Sequence, residues 1–145
     1  MICQNFTLSP WIIDSGASDH ICSNLKWFHS YNETIPTHIK LPTRHLTLAT
    51  QSGTIKFSDD FIIHDVLYVP DFHFNLLSMS KVTNSLNCIM SFNGFQCVIQ
   101  DKKTKNMIGS SDKREELYYL NLSNKITCSA SKIVSSLVPL PDSAL

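Results

Sequence analysis

The sequence predicts an all-β fold, a small closed β-barrel with one short helix and C-terminal hairpins, and three observations predict it. From Thr37 the apolar residues recur with a period of two, at Ile39 and Leu41, Leu46 and Leu48, then Ile55 and Phe57. Phe61 to Val69 is a nearly continuous apolar run with the β-branched character of a central strand, and Pro70 ends it. Asn93-Gly94, between Cys88–Phe92 and Phe95–Ile99, is the strongest short hairpin signal in the chain.

The elements follow in order. Residues 1–10 read as a lead-in, with Pro10 just ahead of a first strand at Trp11-Ile12-Ile13. His20-Ile21-Cys22 starts a second strand, and Ser23-Asn24 caps a short helical turn whose Trp27 and Phe28 fill the core. Pro36 closes that section. Pro42-Thr43-Arg44-His45 and Gln51-Ser52-Gly53 read as turns between short antiparallel strands. Asn75 reads as the N-cap of the single convincing helix, with Leu76, Leu77, Met79 and Val82 on its packed face. Asn106–Gly109 and Leu117–Leu122 form a last pair around a charged loop, Ser110–Glu116. The barrel domain is thus expected over residues 11–122, and the serine-rich stretch 123–145 as a disordered tail.

Composition narrows the function. The 145 residues are 43% hydrophobic and 17% charged, which suits one globular domain able to bury a core. Twelve basic and twelve acidic side chains cancel, so no basic face argues for direct nucleic-acid binding. No apolar run approaches the ~20 residues of a membrane span, and the N-terminus lacks the pattern of a signal peptide. The five cysteines (Cys3, Cys22, Cys88, Cys97, Cys128) are odd in number and widely spaced, as expected of reduced thiols in an intracellular, cytoplasmic protein. His20, Cys22 and His29 lack a second closely spaced ligand pair, so neither a metal nor another cofactor is expected.

Chemistry concentrates in one stretch, Trp11-Ile12-Ile13-Asp14-Ser15-Gly16-Ala17-Ser18-Asp19-His20. An apolar strand delivers Asp14 into a turn of small residues, where backbone can approach closely. Desolvation or a second carboxylate tunes such an acid for acid–base work. Alone, Asp-Ser-Gly reads as an ordinary polar turn after a strand.

With Val66-Leu67-Tyr68-Val69-Pro70 and Asn75-Leu76-Leu77-Ser78 in this order, the stretch resembles the protease region of copia-type (TNT-like) LTR retrotransposon Pol polyproteins, of the retropepsin-like aspartic proteases. The resemblance covers residues 10–122 and implies a retropepsin-type barrel that hydrolyses peptide bonds. Its flanking zinc knuckle, integrase and reverse transcriptase are missing here, so the chain reads as a fragment or a degenerate copy.

By that resemblance Asp14 is the catalytic carboxylate, and Ser15 and Gly16 complete its loop. Such enzymes need two carboxyls sharing one site, and this sequence holds one Asp-Ser-Gly, so the partner is a second copy of the chain. Ala17, Ser18 and Asp19 are implied to contact the polyprotein peptide substrate, with Ser18 standing where retroviral enzymes have Asp. Leu41, Pro42, Thr43, Arg44, His45 and Leu46 are implied as the flap tip, although no glycine lies between Gly16 and Gly53. An intact element would place the domain in a virus-like particle. The alternative is an inactive barrel, a relic or an interaction module of the same element. Serine hydrolysis through Ser15 and His20 lacks the nucleophile-elbow pattern.

Overall fold

The structure, a computed structural model, describes residues 9–41 and 43–122. Strands β1 (Trp11–Asp14) and β2 (Ile21–Cys22) are followed by a 3-10 turn at Leu25–Trp27. Then come β3 (Phe28–Lys40), β4 (Leu46–Ser58), β5 (Phe61–Tyr68) and β6 (Asn75–Ser78). Helix α1 (Met79–Ser85) precedes β7 (Cys88–Phe92), β8 (Gln96–Asp101), β9 (Met107–Arg114) and β10 (Leu117–Leu120). The architecture is all-β and barrel-like with one short helix among the described residues, as the alternation predicts. Ser9–Leu120 forms one compact unit. Residues 1–8 of the expected lead-in and the expected tail, 123–145, lie outside the described residues.

The ten strands run in the order β3-β4-β5-β2-β6-β1-β10-β9-β8-β7. β1 is interior: it pairs in parallel with β6 and antiparallel with β10. Three consecutive buried residues, Trp11, Ile12 and Ile13, show that both of its faces are covered. Trp11 anchors an aromatic cluster, with ring centroids 5.8 Å from Trp27 and 5.1 Å from Phe57, both edge-on. Ile21, Ile39, Ala49, Leu67 and Val69 make a second, aliphatic cluster. β5 lies between β4 and β2, which makes the long apolar run a central strand.

Several local expectations change. Gln51-Ser52-Gly53 is not a turn but the middle of β4, opposite Glu33, Asn32 and Tyr31. Its glycine serves close approach: a Cβ on Gly53 would overlap Ser30 O and stand 2.7 Å from Tyr31 Cα. Pro36 does not close a section either. It lies within β3, an edge strand, where the register slips between Glu33 and Thr37 and the missing N–H is tolerated.

Asn75 does not cap the helix. It opens β6, because Asn75–Ser78 pairs residue for residue with Trp11–Asp14, and this pairing outweighs local helix preference. The cap is Ser78, whose side chain accepts from Lys81 N. The charged stretch Ser110–Glu116 is strand to Arg114, and the turn is Glu115-Glu116, both at positive φ. Its alternation runs through polar residues, with Ser111 buried and Asp112 exposed, so hydropathy does not reveal it.

Candidate active site

β1 carries the chain out of the core at Asp14, which is half-buried, and Ser15 and Gly16 are exposed. Gly16 N donates to Asp14 Oδ1 at 2.8 Å, so the carboxylate closes its own turn and keeps a defined direction. In the β1–β6 pair Asp14 stands beside Ser78. Ser78 is fully buried and its hydroxyl donates to the carbonyl of Ala17 at 2.7 Å. Its N–H donates to Nδ1 of His20 at 3.0 Å. The Asp14 loop is therefore fastened at both Ala17 and His20 to the residue that starts α1.

His20 is 1% exposed, and burial, with Lys81 as the lesser cause, lowers its pKa to about 4. Lys81 Nζ also stands 4.0 Å from Asp19 Oδ1 and donates to the carbonyl of Asp65 at 3.4 Å. A second fastening lies at the other end of β6. Buried Asn75 accepts through Oδ1 from Ser23 N at 2.8 Å and donates through Nδ2 to Ser9 O at 2.8 Å. Both ends of the segment that carries Asp14 are thus tied to β6.

Beside Asp14 and Ser15 opens a cleft of about 490 Å³. Ile12, Phe72, Leu76 and Met79 line one part of it, and Phe92, Leu117 and Tyr118 of the C-terminal hairpins line another, with Glu116 as a further acid. In such an arrangement the apolar lining can hold an apolar group while the carboxylate beside it can exchange a proton with a neighbouring bond.

The other expected site residues fall elsewhere. Ala17, Ser18 and Asp19 do not line the cleft; Ala17 and Asp19 face α1 through Ser78 and Lys81, and Ser18 Oγ donates to Asp19 Oδ2 at 3.4 Å. Leu41, Thr43, Arg44, His45 and Leu46 form the tip between β3 and β4, closed by bonds between Leu41 and both Arg44 and His45, and they do not line the cleft. Pro42 lies outside the described residues. His20 is turned to Ser78 and no hydrogen bond joins it to Ser15 among the described residues, so a serine–histidine pair is not assembled. Among the described residues no three His, Cys, Asp or Glu side chains gather to hold a metal; Cys22 is buried with its Sγ on the carbonyl of Asn24 at 3.3 Å.

Sequence reasoning missed the roles of Ser78 and His20. A partial signal existed for His20, a histidine followed by Ile21 and Cys22 on a buried strand, which must find a partner. Ser78 gave none, because its place at the β6–α1 junction follows from the pairing of β6 with β1.

A family profile described as "Pol polyprotein, beta-barrel domain" matches residues 11–86. The chain is 26% identical over 123 residues to the retrovirus-related Pol polyprotein from transposon RE1 of Arabidopsis thaliana, covering 78% of this chain and 8% of that protein. It is 27% identical over 120 residues to the corresponding polyprotein from transposon RE2 of the same plant, again over 78% and 8%. The chain therefore spans only a small part of the length of these relatives. No solved structure matches it. On the profile match, which takes in β1, the Asp14 loop, β6 and α1, the chain belongs to the family of Pol polyprotein β-barrel domains.

Proposed function

We propose that this domain is the aspartic endopeptidase unit of a copia-type retrotransposon Pol polyprotein, cutting that polyprotein as a homodimer. The observation that carries the reading is Asp14, which lines an apolar cleft and is held there by a buried strand and a fastened loop. Peptide hydrolysis on two carboxyls runs through water. One carboxylate takes a proton from the attacking water while its protonated partner gives one to the scissile carbonyl oxygen. The tetrahedral adduct then collapses, and the C–N bond breaks as the leaving nitrogen gains a proton. One chain holds one Asp-Ser-Gly loop, so in this reading the second Asp14 comes from a copy related by a two-fold axis.

In this reading Ser15 braces the paired loops and Gly16 orients Asp14, while Ala17, Ser18 and Asp19, which lie outside the cleft, flank the substrate backbone where it leaves the cleft over the loop. The Leu41–Leu46 tip, which does not line the cleft, has to swing over it to cover the bound peptide, and the reaction belongs in the cytoplasm, within a virus-like particle of the element. The test is cleavage of a polyprotein-derived peptide at mildly acidic pH by the parent and by Asp14→Asn. Cleavage by the parent alone, at a rate rising with the square of concentration while dimer is scarce, is the expected result. Equal cleavage by both removes Asp14 from the mechanism.

A second reading, an inactive barrel that serves as an interaction module, is favoured by the flap tip, which lacks glycine and stands off the cleft. A strict monomer at high micromolar concentration, without cleavage, would support it.

A further inference from the structure

His20 raises a question of its own, because a fully buried imidazole has two ring nitrogens to satisfy. The N–H of Ser78 donates to Nδ1 at 3.0 Å, which leaves the ring proton on Nε2. The donor residue is the same one whose hydroxyl holds Ala17 O at 2.7 Å and receives Lys81 N at 3.3 Å. Three groups, two from the Asp14 loop and one from α1, thus converge on Ser78, and His20 is the member that fixes its backbone.

We infer that His20 is a positioning residue of the candidate site: its neutral ring, accepting at Nδ1, orients Ser78, and Ser78 in turn holds the Asp14 loop at Ala17. The inference rests on the reading of Asp14 as the catalytic carboxylate. An imidazolium would turn Nδ1 from acceptor into donor, facing the Ser78 N–H, so the contact exists only with the neutral ring. The charges nearby work the same way. Lys81 on α1 opposes a positive ring, while Asp19 in the loop and the carbonyl of Asp65 on β5 both lie toward the Lys81 ammonium. The downward shift to about 4 keeps Nδ1 an acceptor through the mildly acidic range in which paired carboxyls exchange protons.

The ring itself is the first measurement, on the full parent chain. Nitrogen–proton correlation spectra should show an unprotonated Nδ1 and an Nε2–H at neutral and at mildly acidic pH. An Nδ1–H tautomer, or an imidazolium at mildly acidic pH, overturns the inference.

The second measurement is amide exchange at Ser78 in the parent, in His20→Asn (whose side-chain oxygen can stand in for Nδ1) and in His20→Leu. Protection at Ser78 relative to the β8 amides should survive in the Asn variant and fall about tenfold or more in the Leu variant, the worth of one buried hydrogen bond. Equal protection in the two variants overturns the role. Peptide cleavage should follow the same split, with kcat falling in His20→Leu and KM little changed. A parent that cleaves nothing removes the endopeptidase reading alone, and the ring and amide results still decide for or against His20.

Discussion

Asp14 and Ser78 stand side by side at the end of the parallel β1–β6 pair, so the candidate catalytic carboxylate and the helix cap share one rung of the sheet. The cap does two things at once: it accepts from Lys81 N and donates to Ala17 O. Ser78→Ala should therefore lose a cap, about 1 kcal/mol, and strand the half-buried carbonyl of Ala17, about 1 kcal/mol more. Urea unfolding should show a loss of roughly 2 kcal/mol. A change within about 0.5 kcal/mol would mean that water replaces the hydroxyl without cost.

Stability should fall in acid through His20. Its ring titrates at about 4 when folded, below the ordinary 6.5, so the unfolded chain binds the proton more readily. The stability from keeping the ring neutral is complete above about pH 6.5 and is lost as pH falls through about 4. The integrated loss is on the order of 3 kcal/mol. Unfolding curves of the parent and His20→Asn across this window check it, because the Asn variant lacks this part of the slope.

Gly53→Ala should be among the most damaging single changes. The added Cβ meets backbone, Ser30 O and Tyr31 Cα, with no flexible side chain to yield. We expect a loss of about 2 kcal/mol or more, from forced separation of β3 and β4. Gly94→Ala, at φ +93 with nothing within 4 Å, is a contrasting strain of backbone alone and should cost about 1 kcal/mol. Thermal unfolding of the two variants side by side should rank them in that order.

Asp14→Asn should leave the fold intact. The amide oxygen can still accept from Gly16 N, and the side chain is only half-buried. Stability within about 0.5 kcal/mol of the parent, with peptide cleavage lost, separates chemistry from folding. A large loss of stability would point instead to a structural carboxylate.

Thiol labelling should discriminate folded from unfolded protein. Burial pushes Cys22 up to about 12 and Cys97 up to about 11, and Cys88 upward as well. Peptide mapping after alkylation at neutral pH should find these three unmodified in the native protein and modified in denaturant.

Period-two alternation and a turn dipeptide made most strands legible in the sequence. Asn93-Gly94 gives β7 and β8 because Gly94 takes a positive φ and Asn93 Oδ1 receives both Phe95 N and Gln96 N. What local pattern could not show was pairing at a distance. Gly53 looked like a turn residue because its reason, Tyr31, lies on another strand, and Asn75 looked like a cap because its partners Ser9 and Ser23 are far off in sequence. The site divides the same way. Asp14 stands out by its neighbours in sequence, whereas Ser78 and His20 acquire their roles only once β6 lies against β1.

The position of β1 between β6 and β10 also sets an order of events in synthesis. Ile12 and Ile13 are made among the first residues of this unit, yet they pair with Tyr119 and Tyr118, among the last. A ribosome must release nearly the whole unit before the strand bearing Asp14 can gain its second neighbour. Until then that segment has a bare edge, so an emerging Pol chain carries its candidate cutting group unfinished.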